Sequence, residues 1–174
     1  MLYTYLSFSP QIDSSVYIAP TATIIGRATI GTESSVWFNT IVRADINTIE
    51  IGSHTNIQDS CALHVTNQFK VKIEDRVTVG HGAILHGCTN ESDCLIAMGA
   101  IILDGAIIKS GSMVAAGSVV APGTVIPPNS LVMGTPGKVV RTLNDDDTER
   151  MKRNWQNYIG YAKTYLDSKS VQSV

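Results

Sequence analysis

The sequence predicts an all-β fold, a parallel β-helix built from six-residue repeats, followed by one C-terminal α-helix. Two observations carry this prediction. An aliphatic residue recurs at every sixth position over most of the chain, and after Arg141 this period gives way to apolar residues spaced by three and four. A period of six does not fit an α-helix, which needs about 3.6 residues per turn, but it fits a short strand plus a tight turn.

The first run of repeats predicts the N-terminal coils. Its aliphatic positions share one phase and are Ile12, Ile18, Ile24, Ile30, Val36 and Val42. Three six-residue units would close one triangular coil, and stacked coils pair strand on strand at about 4.8 Å. A short stack cannot bury its core, so we expect a long array of coils.

Two insertions interrupt the period and predict loops that leave the coil. Residues 43–50 add three residues, residues 64–72 add four, and the phase slips by one residue between Leu85 and Ile96. Loops of this kind often carry function. Between the interruptions the aliphatic positions are Ile51, Ile57, Leu63, Ile73, Val79 and Leu85.

The last coils and the helix follow. The clearest repeats begin at Ile96, Ile102, Ile108, Val114, Val120 and Ile126. Asn144 and the acidic residues 145–147 are typical of a helix N-terminus. The apolar stripe of the predicted helix runs to about Ser168 and comprises Met151, Trp155, Tyr158, Ile159, Ala162, Tyr165 and Leu166. We expect one domain, with residues 1–142 as β-helix and 143–174 as a helix and tail that pack on it or on a neighbouring subunit.

The amino-acid composition limits the classes of function that the chain can have. A net charge of −2 without a basic patch argues against nucleic-acid binding. No apolar run is long enough for a membrane span, and no signal peptide is evident. Three cysteines without CxxC spacing fit a reduced, cytoplasmic protein. Only 16% of residues are charged, which favours an oligomer that buries part of its surface.

The repeat phase places two histidines together. His64 and His86 each follow the aliphatic residue of a repeat on the same face of successive coils, and Arg43 precedes them in that outward column. We expect the two histidines to lie about one strand spacing apart, close enough to bind a common metal. The fourth histidine of the chain, His54, falls in a turn and is predicted to be structural.

His81 lies on the preceding face, two positions past Val79, in the same column as Asp59. It therefore faces away from the other two histidines of its own chain. The three can meet if the coils pack as a threefold trimer, with two ligands from one subunit and one from the next. Three histidines and an open position are typical of catalytic Zn²⁺, with Fe²⁺ or Co²⁺ as alternatives.

The chain resembles the γ-class carbonic anhydrases and their close bacterial relatives, whose hexapeptide repeats form left-handed coils. The resemblance covers nearly the whole chain. The residues that carry it are Arg43-Ala44-Asp45, Asn56-Ile57-Gln58-Asp59, His64, and the run from His81 to His86, with Asn154 and Tyr158 in the helix.

The resemblance implies reversible hydration of carbon dioxide to bicarbonate by metal-bound hydroxide at a trimer interface. The metal ligands would be His64, His81 and His86. Among the other implied roles, Gln58 orients the hydroxide or substrate, Arg43 and Asp59 form an ion pair between subunits, Asp45 supports that pair, and Tyr158 is a hydrogen-bond partner near the metal.

The chain departs from the best-known active members in one respect. Those members carry acidic loop residues thought to shuttle protons, whereas here Ile46 follows Asp45 and residues 65–72 contain no acid. We therefore expect metal binding, with weak activity.

Two other functions stay open. One is an acyl-CoA-dependent acyltransferase or thioesterase on the same scaffold, although transferases of this fold typically use one catalytic histidine and no metal triad. The end of the repeat region, Gly134 to Arg141, is found in several branches of the family and does not discriminate. The other is a non-catalytic metal-binding trimer.

Overall fold

The six-residue period forms a parallel β-helix in a computed structural model of the chain, which describes residues 1–167. The last part of the predicted C-terminal tail, residues 168–174, lies outside the described residues. In chain order the strands are β1 (Leu2–Tyr3), β2 (Gln11–Ile12), β3 (Tyr17–Ile18), β4 (Thr23–Ile30), β5 (Ser35–Val36), β6 (Ile41–Ile51), β7 (Asn56–Ile57), β8 (Ala62–His64), β9 (Val71–Ile73), β10 (Thr78–Val79), β11 (Ile84–His86), β12 (Thr89–Asn90), β13 (Leu95–Ile96), β14 (Ile101–Ile102), β15 (Ile107–Ile108), β16 (Met113–Val114), β17 (Val119–Val120), β18 (Val125–Ile126), β19 (Ser130–Gly134) and β20 (Gly137–Thr142).

The strands stack into three faces. The first face runs from the start of β4 and β6 through β8, β11, β14 and β17. The second runs from β2 and the ends of β4 and β6 through β9, β12, β15 and β18. The third comprises β3, β5, β7, β10, β13, β16 and β19, with β20 added antiparallel at its edge. Since β4 and β6 cross the corner between the first two faces, those faces form one 12-stranded sheet.

The aliphatic residue of each repeat points into the coil. Val42 pairs in register with Leu63, Leu63 with Leu85, and Leu85 with Ile102, so the column predicted from the sequence is confirmed. All four side chains are at most 1% exposed. Burial of this column and of the matching columns on the other two faces stabilises the stack, because apolar area removed from water contributes about 25 cal/mol per Å².

The insertion at residues 43–50 is not the predicted loop. β6 runs unbroken from Ile41 to Ile51, and the extra residues form a bulge opposite β4, where pairing jumps from Gly26–Ala44 to Ala28–Ile49. A bulge absorbs extra residues while hydrogen bonding continues on both sides of it, which the repeat count could not reveal. Asp45 lies in this bulge.

The second insertion does form a loop. Residues 65–70 leave the coil between β8 and β9, and the Thr66 hydroxyl accepts hydrogen bonds from the backbone N–H groups of Gln68 and Phe69. After β11 the corner is one residue short, so Asn90 occupies an interior position between Ile73 and Ile108.

The helix α1 (Asp145–Leu166) packs along the third face against β3, β5, β7 and β10. Its N-terminus is a capping box. The Asn144 side chain accepts from the Asp147 backbone at 2.9 Å, and the Asp147 carboxylate accepts from the Asn144 backbone at 3.1 Å. The predicted apolar stripe is confirmed at Met151 and Ala162, which are buried. Over residues 1–167, no helix is long and apolar enough to cross a membrane.

Candidate metal centre

His64 and His86 lie one above the other at the end of β8 and β11. The register pairs His64 with His86 on one side and with Arg43 on the other, as the repeat phase predicts. His64 Nδ1 lies 3.1 Å from His86 Nε2. Two nitrogens bound to one tetrahedral zinc would be about 3.3 Å apart, so this spacing suits a shared metal.

The outer nitrogen of each ring contacts a carboxylate. His64 Nε2 lies 3.2 Å from Asp45 Oδ1, and His86 Nδ1 lies 2.6 Å from Asp104 Oδ1. An ionised carboxylate only accepts hydrogen bonds, so each ring donates its outer N–H to its carboxylate. In the neutral rings the two inner nitrogens then carry lone pairs that face each other. A cation between them, a proton or a metal ion, satisfies both.

The surroundings of His64 disfavour the proton. Burial lowers the pKa of His64 below its ordinary value, although its hydrogen bond with Asp45 acts in the opposite direction. Burial of Asp45 would raise the pKa of its carboxyl, but hydrogen bonds with Arg43 and His64 outweigh that effect and hold it below its usual range. Near neutral pH the pair is thus a neutral imidazole beside a carboxylate, which is the form that metal ligation requires.

His81 lies in the turn after β10, on the third face. Its Nδ1 is 2.8 Å from Asp59 Oδ2, and its backbone N–H donates to Gln58 Oε1 at 3.2 Å. The Tyr158 hydroxyl of α1 lies 3.5 Å from His81 Nε2. Burial, followed by the charge of Asp59, raises the pKa of Tyr158 to about 12, so the phenol keeps its proton. His81 therefore resembles the other two in having one ring nitrogen on a carboxylate, while its second nitrogen, Nε2, faces the Tyr158 hydroxyl.

The three histidines do not converge within one chain. Among residues 1–167, no three His, Cys, Asp or Glu side chains come close enough to hold a metal ion. His64 and His86 project from the first face, whereas His81 projects from the turn after the third. The donor set fits Zn²⁺, since each imidazole offers one lone pair and is oriented by a carboxylate. That His81 of a second copy joins the pair is the prediction made from the repeat phase.

The remaining predicted residues also lie around the histidines. Arg43 donates to Asp45 of its own chain, so its predicted pairing with Asp59 of a neighbouring copy stays a prediction. Gln58 is only 4% exposed, and its amide nitrogen donates to Asn56 Oδ1 at 3.1 Å. Within the chain, Gln58 thus anchors the backbone of His81.

Asp104 is the contact that the sequence reasoning missed. The register pairs β11 with β14, so the turn after Ile102 lies beside His86. An acid at that turn position was the available signal. His54, by contrast, lies apart as predicted, with its Nε2 3.2 Å from Glu33 Oε2.

An open cavity of about 350 Å³ adjoins His81 between α1 and the third face. Asp59 and Tyr158, which contact His81, line it on one side. Trp37 also lines it and packs edge-on against Tyr158 and Tyr165, with ring centroids 5.3 and 5.2 Å apart. The cavity therefore shares two lining residues, Asp59 and Tyr158, with the surroundings of His81.

The sequence is similar to curated carbonic anhydrases. It is 47% identical to a carbonic anhydrase of Geobacillus kaustophilus over 95% of this chain and 91% of that protein. It is 40% identical to the mitochondrial γ carbonic anhydrase 2 of Arabidopsis thaliana, over 95% of this chain and 63% of that protein. No protein-family model matches the chain.

A solved structure has the same fold under a different description. The crystal structure of a Bacillus cereus protein described as a putative acetyltransferase superposes with a TM-score of 0.94 at 46% identity. The match covers 95% of this chain and 96% of that one. The relatives thus share the fold but carry two kinds of functional name.

Proposed function

Since the chain belongs to the γ-class carbonic anhydrase-like proteins of the hexapeptide-repeat, left-handed β-helix family, we propose that it is a metal-dependent carbonic anhydrase that reversibly hydrates carbon dioxide to bicarbonate. The observation that carries this proposal is the facing pair of His64 Nδ1 and His86 Nε2. Each ring donates to a carboxylate, so the pair needs a cation.

The proposed metal is Zn²⁺, with Fe²⁺ or Co²⁺ as substitutes, held by His64 and His86 of one subunit and His81 of the next. When bound, the metal would act as a Lewis acid that lowers the pKa of water to about 7. The chain's own residues orient the ligands. Asp45, Asp59 and Asp104 fix the ring tautomers, and carboxylate–histidine pairs of this kind strengthen metal binding.

Gln58 and Tyr158 are the proposed polar groups beside the substrate. The Gln58 side chain accepts a hydrogen bond from the backbone of His81, so in this role it also helps to position His81, the third proposed ligand. The Tyr158 phenol keeps its proton and can donate a hydrogen bond near His81 Nε2. Residues 65–72 contain no acidic side chain that could carry a proton from the site to solvent, so we expect slow turnover of carbon dioxide.

A homotrimer completes the proposed site. The histidine column of the first face is flanked by Ile41 and Ile84, which are 47% and 40% exposed. On the third face, the register places His81 over Met98, which is 58% exposed. Both halves of the site are thus bordered by apolar side chains that a neighbouring copy would cover. The proposed location is the cytoplasm, supported by three buried free cysteines whose thiol pKa values burial raises to about 12.

Stopped-flow hydration of carbon dioxide tests the activity. We expect protein loaded with Zn²⁺ or Fe²⁺ to accelerate hydration, and we expect the rate to fall to that of metal-free protein in His81→Ala. A protein that binds one metal per chain without accelerating hydration would be the non-catalytic metal-binding trimer instead.

The alternative is an acyl-CoA-dependent transferase or thioesterase. The Bacillus cereus structure described as a putative acetyltransferase favours it, since it matches this chain over nearly its whole length. Its test is consumption of acetyl-CoA by chelator-treated protein with amine acceptors or water. Turnover that persists without metal would support this alternative and contradict the metal-dependent proposal.

A further inference from the structure

Asp104 makes the shortest of the three carboxylate–histidine contacts. Its Oδ1 lies 2.6 Å from His86 Nδ1, compared with 2.8 Å for Asp59 on His81 and 3.2 Å for Asp45 on His64. It lies in the turn after β14, one coil beyond His86. None of the residues that carry the family resemblance includes it.

We propose that Asp104 is a positioning residue of the metal centre, acting through His86. It accepts the Nδ1 proton of His86 and thereby directs the Nε2 lone pair at the metal. This inference rests on the proposed metal site, but it concerns a residue that neither the motif nor the comparisons identify.

Two glycines leave room for Asp104 and for the Phe69 ring beside it. A Cβ built on Gly87 would come within 2.7 Å of Asp104 Oδ1 and 2.9 Å of Phe69 Cβ. A Cβ on Gly105 would lie 3.1 Å from the Phe69 ring. Phe69 from the inserted loop therefore packs over the shortened corner at Gly87 and over the turn that carries Asp104. Two of the three irregularities of the repeat, the four-residue insertion and the one-residue slip, thus lie beside this hydrogen bond.

The effect of removing the charge follows from the hydrogen-bonding rules. An asparagine at position 104 can present its NH₂ group to His86 Nδ1, which moves the ring proton to Nε2, the nitrogen that faces the metal. Even in the other amide orientation, the neutral oxygen supports the imidazole less strongly. Loss of such a partner typically weakens metal binding by about 10–100-fold.

The test is a competition titration of Zn²⁺ against a chromophoric chelator, with the visible spectrum of the Co²⁺-loaded protein as a second readout. Three variants are compared with the wild type. Asp104→Asn removes the carboxylate, Asp104→Glu restores it, and Asp93→Asn removes a turn carboxylate that pairs with Arg76, away from the site.

We expect Asp104→Asn to raise the Kd for Zn²⁺ about 10–100-fold and to alter the Co²⁺ bands. Asp104→Glu should recover most of the affinity, and Asp93→Asn should bind as the wild type does. An unchanged Kd in Asp104→Asn, or an equal loss in Asp93→Asn, would overturn the proposal while leaving the metal site intact.

A loss of stability in Asp104→Asn and a lack of Zn²⁺ binding by the wild type also have defined meanings. If Asp104→Asn lowers the melting temperature of the metal-free protein, the Asp104→Glu variant distinguishes the two explanations. Recovered affinity for Zn²⁺ in Asp104→Glu supports a positioning role of the carboxylate, and an equal loss of affinity contradicts it. If the wild type binds no Zn²⁺, the proposed function fails together with this inference. That result differs from wild-type binding that Asp104→Asn leaves unchanged.

Discussion

The imidazoles of His64 and His86 both donate their outer N–H groups to carboxylates, so the lone pairs of their inner nitrogens face and repel each other. His64 and His86 face each other at 3.1 Å with their inner nitrogens, while Asp45 and Asp104 accept from their outer ones. Burial lowers the pKa of His64, so a shared proton is disfavoured near neutral pH. The proposed divalent metal would resolve the arrangement, because it would accept both lone pairs.

The histidines offer a matched comparison at the residue scale. We expect His81→Ala to abolish stoichiometric metal binding, because the variant keeps only two of the three proposed protein ligands. His54→Ala should keep about one metal per chain, since His54 pairs with Glu33 away from the site. Elemental analysis of the purified variants measures both. Equal metal content in the two variants would mean that His81 is not a ligand.

The sequence predicted the column positions of these histidines but not their hydrogen-bond partners. A six-residue period fixes which residues stack, so His64 over His86 and Asp59 over His81 followed from counting. The partners depend on corners, where the period breaks. Asp45 contacts His64 from a bulge, where the repeat spacing predicted a loop. Asp104 contacts His86 beside a corner that is one residue shorter than the others.

At the scale of elements, the inward and outward positions of a strand should differ sharply in their contribution to stability. In β15, Ile108 is fully buried, whereas its neighbour Ile107 faces outward and is partly exposed. We expect Ile108→Ala to cost about 2–5 kcal/mol of unfolding free energy and Ile107→Ala less than about 1 kcal/mol. Urea denaturation monitored by circular dichroism measures both. Similar losses would contradict the assigned direction of the repeat.

The helix N-terminus should make stability depend on pH. The hydrogen bond from Arg141, with the Asn144 backbone, lowers the pKa of Asp147 to about 2. Because the folded pKa is depressed, this stabilisation is fully present above the unfolded pKa of about 3.9 and is lost as the pH falls towards 2. We expect the stability difference between the wild type and Asp147→Asn to shrink over that window.

Urea unfolding at pH 5, 4, 3 and 2.5, followed by the helical signal, checks this expectation. Asp146→Asn is the control, since Asp146 is an exposed first-turn acid one position away. A constant difference between the wild type and Asp147→Asn across the series would show that the capping box does not supply the pH dependence.

At the scale of the whole molecule, the β-helix holds the three proposed metal ligands on different faces. His64 and His86 lie on the first face and His81 on a turn of the third, and within residues 1–167 no metal-binding group of three forms. Exposed apolar residues border both halves, among them Ile84 and Met98. The fold was predictable from the repeat, whereas the faces of contact between copies are not encoded in a period.

Co-expression of two inactive variants tests the shared site most directly. His81→Ala keeps the two-histidine half and His86→Ala keeps the His81 half, so neither should bind metal alone. If the two variants assemble at random into homotrimers and mixed trimers, about one interface in four joins two intact halves, so the whole mixture should hold about one quarter of the wild-type metal content. A mixture that forms mixed trimers, verified with two affinity tags, but stays metal-free would contradict a site shared between subunits.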